Sequence, residues 1–155
     1  MNEYEEKLKH YINLHNIKAE HLSFKESCHS VKEAAEVVNA QPTDFIKSIC
    51  TVDQNGNFFV GIVKGEDKVD ISKIQNFAKL KLRIAKPDEM LEKTGYPCGG
   101  TPPFGFTAIF LIDQRVMEKE FVYGGGGSQT ALLKISTKEL QKANHGQIVE
   151  IKKLF

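Results

Sequence analysis

The chain has 155 residues, 41% of them hydrophobic, and its 21 basic and 20 acidic residues give a formal net charge of +1. That length fits one domain over residues 1–155, with enough chain to bury a core. The near-zero charge argues against a protein that coats nucleic acid without specificity, although it allows a local basic face.

The sequence carries no targeting or metal-binding signal. The first six residues are acidic and lack the apolar core of a signal peptide, and no run approaches the roughly 18 apolar residues that span a bilayer. The three cysteines form no CxxC pair, and the five histidines lack metal-ligand spacing. We therefore expect a cytoplasmic protein without metal or cofactor that binds neither membranes nor DNA.

The first part of the chain predicts two helices and a hairpin. Ser30 and Glu33 form a capping-box pattern that opens a helix, and Asn55-Gly56 is a hairpin signature between two apolar runs. The expected elements are a helix over 4–17, a strand over 22–24, a helix from 31 that ends before Pro42, and strands over 45–52 and 58–63.

The second part predicts short helices between strands. Asp70, and later Ser136 or Thr137, are candidate helix caps, Pro87 has the signature of a first helical turn, and Gly95 fits a helix C-cap. The expected elements are helices over 71–78, 87–94 and 137–143, and strands over 80–84, 106–112, 121–123, 131–135 and 147–151. Strands that alternate with helices but include a hairpin favour an α/β (α+β) fold with a mixed sheet.

A turn rich in glycine and proline is the strongest candidate for a ligand site: Gly99-Gly100-Thr101-Pro102-Pro103-Phe104-Gly105. Glycine lets the backbone approach a ligand and proline fixes φ, so the segment predicts a stiff loop with bare amides. A rigid surface connection is the other interpretation. Cys98 has no assignable histidine partner, which favours a packing role over a nucleophile.

A second glycine run, Gly124 to Gly127, precedes Ser128. It lacks the Lys-Ser/Thr ending of a P-loop and the third glycine of GxGxxG, and a strand rather than a helix is expected after it. The run therefore predicts a tight bend beside a binding cleft, not an ATP or NAD site.

Basic residues occur in two informative places. Lys47 lies among apolar neighbours, so it either points to solvent or is held in a pocket where it meets a phosphate or carbonyl. Lys79, Lys81 and Arg83 alternate along a predicted strand, which indicates either a solvated face or a surface that follows an RNA backbone.

Taken in order, these motifs resemble the YbaK-like family, the editing domain that is also inserted in bacterial prolyl-tRNA synthetases. The resemblance covers about residues 20–140. The matching segments are His29-Ser30-Val31-Lys32-Glu33-Ala34-Ala35, Phe45-Ile46-Lys47-Ser48-Ile49, Val69-Asp70-Ile71, Ala85, Thr94-Gly95, a GxxxP loop from Gly99 to Pro103 with Phe104-Gly105, Ile112-Asp113, and Gly124 to Gly127.

The resemblance implies a largely antiparallel, barrel-like mixed sheet flanked by short helices. It also implies trans-editing by an aminoacyl-tRNA deacylase, which hydrolyses the ester between a wrong amino acid and tRNA. The implied substrate is the acceptor end of a mischarged tRNA, with alanine, cysteine or serine on tRNA-Pro as natural candidates. The protein would act alone or docked on an aminoacyl-tRNA synthetase.

The resemblance also assigns roles to residues. Lys47 would contact the phosphate or the ester carbonyl of the terminal adenosine, and the ribose 2′-hydroxyl would assist hydrolysis. The pocket around the ester would consist of Gly99, Gly100, Thr101, Pro102 and Pro103. Further substrate-binding positions would be His29, Ser30, Phe45, Phe104, Gly105, Asp113, Gly125, Gly126, Gly127 and Ser128, with Asp113 supporting the loop rather than taking protons.

The chemistry agrees with this hypothesis because an aminoacyl ester is already activated. Positioning a water and stabilising the oxyanion can suffice, without a metal or a side-chain nucleophile. The alternative is a non-catalytic module of the same fold that binds aminoacyl-adenosine or the tRNA end, or a synthetase-associated protein. A purely structural role, with Lys47 exposed and the glycine loops as connectors, is a third interpretation.

Overall fold

The computed structural model describes residues 2–154, and in that part of the chain it contains five α-helices and eight β-strands. None of the helices in this range is long and apolar enough to cross a membrane. The elements in chain order are α1 (Glu3–Leu14), β1 (Ala19–Ser23), α2 (Val31–Val38), β2 (Ile46–Val52), β3 (Phe58–Lys64), α3 (Ile71–Ala78), β4 (Arg83–Ile84), α4 (Pro87–Thr94), β5 (Ile109–Asp113), β6 (Phe121–Gly125), β7 (Ala131–Ser136), α5 (Thr137–Asn144) and β8 (Gln147–Val149).

The strands form two sheets. A three-stranded antiparallel sheet has the order β1-β7-β6, and a five-stranded sheet has the order β4-β2-β3-β5-β8. In the larger sheet β2 is antiparallel to β3 and β4, whereas β5 is parallel to β3 and β8. A bridge between Phe45 and Tyr123 joins the two sheets. The predicted mixed α/β fold is confirmed, but the strands within residues 2–154 do not close into a barrel.

Local sequence signals account for most of the helices. The side chains of Ser30, Asp70 and Ser136 accept hydrogen bonds from the N–H groups of Glu33, Ser72 and Glu139, respectively, so the caps predicted at these three positions are confirmed. The hairpin predicted at Asn55-Gly56 is confirmed by the antiparallel pairing of β2 with β3, and Gly56 has a φ of +82° in the turn.

Two predicted strands begin three residues later in the structure than expected. The strand expected over 80–84 is reduced to β4, because Lys79 adopts a left-handed φ of +57° as the C-cap of α3 and the chain then turns. The strand expected over 106–112 begins only at Ile109, after a bend that includes Gly105 at a φ of +98°. Each of these strands begins only after a residue with a left-handed φ. The alternation of apolar residues in the sequence does not reveal such a residue.

The core lies on both faces of the larger sheet. Side chains of β3 alternate between the two, with Val60 and Ile62 in the cluster that includes α1 and β7, and Phe59 and Val63 in the cluster under α3. A third, smaller cluster packs α2 against Phe45 and its neighbours. This last cluster lies where the two sheets meet, and it forms one wall of the cleft described next.

Candidate active site

A cleft of about 360 Å³ opens beside the junction of the two sheets. Its walls come from α2, the start of β2, the segment from β4 into α4, the loop around Gly99, and the facing ends of β6 and β7. Because β4 pairs only with Thr51 and Val52, the preceding part of β2 is left as an open strand edge along the cleft. The volume is in the range of small-molecule sites, about 300–1,000 Å³.

The lining of the cleft is largely apolar. Val31, Ile46, Ile49 and Met90 are among the side chains that contribute apolar surface. Among the described residues that line it, none carries a carboxylate, whereas Lys47 supplies a cation. Such a site suits a ligand with apolar and polar parts and a negative or polarised group near Lys47.

Lys47 lies on β2 opposite Val63 and is half-buried. No carboxylate of residues 2–154 pairs with its ammonium within 4.0 Å. Burial lowers the pKa of Lys47, and the charge of Asp67 opposes part of that effect. The structure therefore places Lys47 in the cleft as a partly desolvated cation without a salt-bridge partner, not as a solvent-facing strand residue.

The two glycine segments pack against each other, backbone to backbone. The N–H of Gly127 donates to the carbonyl of Gly100 at 2.8 Å. A Cβ atom at Gly100 would lie 2.5 Å from the nitrogen of Ser128, and one at Gly125 would collide with the carbonyl of Thr101. Glycine is required at these positions because a side chain would separate the two loops.

The loop around Gly99 also meets the start of α2. Gly99 has a φ of +90°, and a Cβ there would lie 2.6 Å from Nδ1 of His29. His29 and Ser30 line the cleft, and Ser30 also caps α2. Phe45 also lines the cleft and stacks on Tyr123 with 5.0 Å between ring centroids. The structure thus brings His29, Ser30, Phe45, Lys47 and Gly99 to one cavity.

Several residues that the resemblance assigned to the pocket support it from behind. Gly100, Pro102 and Pro103 are buried, and the carbonyl of Pro103 accepts a hydrogen bond from Nδ2 of Asn144 at 3.0 Å. Gly126 and Gly127 are also buried and face β7 and α1 rather than the cleft. Thr101 and Gly125, by contrast, line the cleft directly.

Phe104, Gly105 and Asp113 lie away from the cleft, which corrects the expectation that they surround the ligand. Phe104 is fully buried in the main core and stacks on Tyr11 at 6.0 Å. Gly105 lines a separate cavity of about 500 Å³ beside α1 and α5. The apolar ring of Phe104 and the turn at Gly105 anchor the loop to the core, so we exclude both from the candidate site.

Asp113 is a buried structural carboxylate at the end of β5. One of its oxygens accepts hydrogen bonds from the N–H groups of Ile151 and Lys152, both at 2.9 Å, and the other accepts from the N–H of Arg115 at 3.0 Å. Asp113 therefore ties the segment after β8 to the larger sheet and does not contact the loop from Gly99 to Gly105.

We expect Asp113→Ala to lower the free energy of unfolding by about 3 kcal/mol, because it leaves three backbone donors without an acceptor. Urea denaturation measures this loss, with the exposed Glu36 replaced by alanine as a control. Activity at the cleft, expressed per folded molecule, should be unchanged in both variants. A stable Asp113→Ala protein that has lost activity would return Asp113 to the substrate site.

Cysteine placement was missed by sequence reasoning. Cys28, Cys50 and Cys98 are distant in sequence, yet all three line the cleft. Burial raises the pKa of the Cys50 thiol to about 12 and also raises the pKa of Cys28, so neither is a nucleophile at neutral pH. Sheet order and the position of α4 create this proximity, and no sequence spacing signals it.

The predicted basic stripe is divided in the structure. Arg83 pairs with Glu89 through two contacts of 2.7 Å, and the hydrogen bond from Arg83 is the main reason that the pKa of Glu89 falls to about 2. Lys79 and Lys81 are exposed, Lys79 at the end of α3 and Lys81 in the following turn. Arg83 is therefore already neutralised locally, which leaves Lys79 and Lys81 as the candidate cations for a phosphate backbone.

The fold is that of a known protein class. A family model described as an aminoacyl-tRNA editing domain matches residues 25–143, and the chain belongs to that family. The family predicted from the sequence motifs is thereby confirmed, and with it aminoacyl-tRNA editing as the general function of the domain.

Curated relatives are similar at a moderate level. The uncharacterized protein YwhH of Bacillus subtilis (strain 168) is 26% identical over 127 residues, which cover 81% of each chain. A proline–tRNA ligase of Pseudothermotoga lettingae is 28% identical over 99 residues, 62% of this chain but only 17% of the ligase. The match to the ligase is thus confined to a small part of that protein.

Solved structures show the same architecture. The hypothetical protein APE2540 superimposes with a TM-score of 0.87 at 26% identity, and the match covers 95% of this chain and 99% of that one. A proposed trans-editing enzyme for prolyl tRNA synthetase superimposes with a TM-score of 0.92 at 24% identity, covering 99% of both chains. These likenesses confirm the fold class.

Proposed function

We propose that this protein is an aminoacyl-tRNA deacylase that hydrolyses mischarged tRNA in trans. The observation that carries the proposal is the cleft itself, in which Lys47, with no salt-bridge partner among residues 2–154, faces an apolar pocket bordered by the glycine loop. The substrate we propose is tRNA-Pro that carries a small non-cognate amino acid: alanine, cysteine or serine. The family membership and the similarity to proline–tRNA ligases support this choice.

The cleft offers polar groups for the reacting ester. Gly99 and Thr101 line it, and within residues 2–154 their backbone N–H groups donate no hydrogen bond. We propose that these N–H groups or the Lys47 ammonium hold the carbonyl oxygen as negative charge develops on it. Donors that are fixed before the reaction stabilise an oxyanion more than they stabilise the ground-state ester.

Hydrolysis then needs no covalent enzyme intermediate. The oxygen of a water forms a bond to the ester carbon, and the bond from that carbon to the ribose oxygen breaks. The proton from water passes to the ribose oxygen, which gives the free amino acid and a tRNA with an intact terminal hydroxyl. Since no carboxylate from the described part of the chain lines the cleft, we assign the proton transfer to the neighbouring ribose 2′-hydroxyl.

The dimensions of the cleft suit selection by size. Its volume of about 360 Å³ accommodates a terminal nucleoside with a small acyl group, not the body of a tRNA. Thr101 and Met90 border the space with side chains held by a buried loop and by α4. Steric exclusion of a larger or ring-shaped acyl group distinguishes substrates by roughly one to two orders of magnitude per added methylene group.

The lack of a carboxylate among the described lining residues also favours a second candidate, a non-catalytic module that binds aminoacyl-adenosine or the tRNA end. Both candidates use the same cleft and differ only in turnover. The match covers 81% of the relative YwhH, so in that protein the domain is not part of a full-length ligase. Together with the deacylase function, we propose a cytoplasmic location and a synthetase as a docking partner.

The test is ester loss from tRNA-Pro charged separately with alanine, cysteine, serine and proline. The deacylase proposal predicts rapid release of at least one non-cognate amino acid while prolyl-tRNA is spared. Binding of the charged tRNAs without release above the buffer rate would support the binding module instead. Equal hydrolysis of all four esters would contradict selection by the cleft.

We also expect exposed lysines after α3 to contact the tRNA backbone. Lys79→Gln combined with Lys81→Gln should reduce the slope of log affinity against log salt by about 1.5, because two phosphate contacts are lost. Salt titration of tRNA binding measures the slope. A charge-matched control replaces Lys138 and Lys153, which are exposed elsewhere, and should leave it unchanged. Equal slopes in both double variants would assign Lys79 and Lys81 to a solvated face.

A further inference from the structure

Helix α1 lies outside the segment that matches the family model, yet it carries a buried carboxylate. Glu5 is only 3% exposed, and the family match begins at residue 25. One carboxylate oxygen of Glu5 accepts a hydrogen bond from Oγ of Ser128 at 2.8 Å, and the other accepts one from Oγ of Ser23. A charge at this depth is costly unless its oxygens are hydrogen-bonded, so both hydroxyls contribute to holding it there.

Ser128 connects Glu5 to the second glycine segment. Its hydroxyl donates to Glu5 and accepts from the N–H of Thr130, which fixes the turn after Gly127. Gly127 packs directly on α1, where a Cβ atom would lie 3.1 Å from the carbonyl of Tyr4. The position of this turn is thus set from the α1 side.

From Gly127 the connection continues to the cleft. The N–H of Gly127 donates to the carbonyl of Gly100 at 2.8 Å, and Gly100 is flanked by Gly99 and Thr101, which line the cleft. Next to Gly127, on the side away from the cleft, Nε2 of His21 lies 2.8 Å from the carbonyl of Gly126. Two hydrogen bonds, from Ser128 to Glu5 and from Gly127 to Gly100, together with the peptide bonds between neighbouring loop residues, therefore join a carboxylate on α1 to the backbone that borders the cleft.

We propose that Glu5 is a positioning residue for deacylation, which acts through Ser128 and Gly127 to fix the backbone from Gly99 to Thr101. The inference rests on the proposed function, since it concerns the reacting geometry of the same cleft. Burial raises the pKa of Glu5, but the hydrogen bonds from Ser23 and Ser128 outweigh burial, and the pKa lies below its ordinary value. Glu5 is therefore a carboxylate, and an acceptor for both hydroxyls, at neutral pH.

The two serines form a matched pair of variants. Ser128→Ala removes the contact that leads to the glycine loop, whereas Ser23→Ala removes a contact to the other oxygen of the same carboxylate. We expect Ser128→Ala to lower kcat by about tenfold with little change in KM, because misplacement of reacting groups costs rate rather than binding. Ser23→Ala should change kcat by less than about twofold.

Hydrogen exchange of the Gly127 amide supplies a second measurement that needs no substrate. Its exchange should accelerate in Ser128→Ala and in Glu5→Gln but not in Ser23→Ala. Similar kcat values for the two serine variants, or unchanged exchange at Gly127 in Ser128→Ala, would overturn the proposal. Faster exchange at Gly127 in Ser128→Ala with an unchanged kcat would reduce Glu5 to a stabilising role, and this result would overturn the proposal as well.

The outcome can be separated from the fate of the proposed function. If the wild-type protein hydrolyses no ester, the probe becomes an amide-linked alanyl-3′-amino-3′-deoxyadenosine, whose binding is measured by calorimetry. If, of the two serine variants, only Ser128→Ala bound this probe more weakly and exchanged the Gly127 amide faster, Glu5 would remain the positioning residue of a binding site. Equal binding by both serine variants would overturn the inference whether or not the protein is an enzyme.

Discussion

Gly100→Ala should reduce deacylation by about 100-fold or more, the largest effect that we expect from a single methyl group. A Cβ atom at this position would lie 2.5 Å from the nitrogen of Ser128 and 2.7 Å from the carbonyl carbon of Gly127. Both atoms belong to the backbone, so no side chain can rotate to make room. The loops must separate, which breaks the hydrogen bond from the N–H of Gly127 to the carbonyl of Gly100 and moves Gly99 and Thr101.

The same clash should lower the free energy of unfolding by about 1–3 kcal/mol, as overpacking does. Gly56→Ala is the matched control, because Gly56 has a φ of +82° but a Cβ there would meet no atom within 4 Å. It should cost about 1 kcal/mol of stability through backbone strain and leave activity per folded molecule unchanged. Steady-state deacylation and urea unfolding of both variants measure the two effects. Full activity in Gly100→Ala would contradict the proposed role of the loop.

Lys47→Met should lower kcat/KM by about 100-fold, because it removes the cation at the edge of the cleft while it keeps a side chain of similar length. Lys47 makes no salt bridge within residues 2–154, so the substitution leaves no carboxylate unpaired. Lys138→Met is the control, since Lys138 is exposed on α5. Deacylation kinetics of the two variants provide the comparison, and equal activity would remove Lys47 from the mechanism.

Although Lys47→Met should lose activity, its free energy of unfolding should increase. Because burial places the pKa of Lys47 below its ordinary value, the unfolded chain binds this proton more tightly than the folded chain does. The charged side chain therefore costs stability at neutral pH, and this cost disappears as pH rises from the folded-state pKa to the ordinary lysine value. Lys47→Met should gain about 0.5–2 kcal/mol at pH 7, as is common when a functional residue is replaced. Urea unfolding at neutral and alkaline pH measures this gain, which should vanish at the higher pH.

Much of the fold could be predicted because local signals were strong. Ser30, Asp70 and Ser136 each precede a helix with an oxygen that can accept from the first turn, and all three caps form. The hairpin at Asn55-Gly56 depends on two adjacent residues and two flanking apolar runs. Signals of this kind act within a few residues and do not depend on how distant parts of the chain pack.

The division into two sheets and the extent of the basic strand could not be predicted in the same way. The alternation of lysine and leucine after Lys79 is typical of a strand, but the left-handed conformation of Lys79 and the hydrogen bond from Leu82 N–H to the side chain of Gln75 turn the chain instead. The end of α3 and this contact back to it outweigh strand propensity there. Phe104 was similarly misplaced, since a ring within a loop that was expected to face a ligand gave no sign that it fills the core.

The glycine motifs were recognised, but their partners were not. Sequence reasoning treated Gly99 to Gly105 and Gly124 to Gly127 as two loops that each face a ligand. In the structure the loops mainly face each other, because Gly100 and Gly125 allow backbone contacts that any side chain would prevent. Glu5, which fixes the outer side of this pair, has no motif and was not identified.

The most direct test of the account follows ester loss from one susceptible aminoacyl-tRNA with four proteins in parallel. These are the wild type, Lys47→Met, Gly100→Ala and the control Lys138→Met. We expect rapid loss with the wild type and the control, and loss close to the protein-free rate with the two cleft variants. Equal rates for all four proteins would contradict it, because the hydrolysis would then arise outside the cleft.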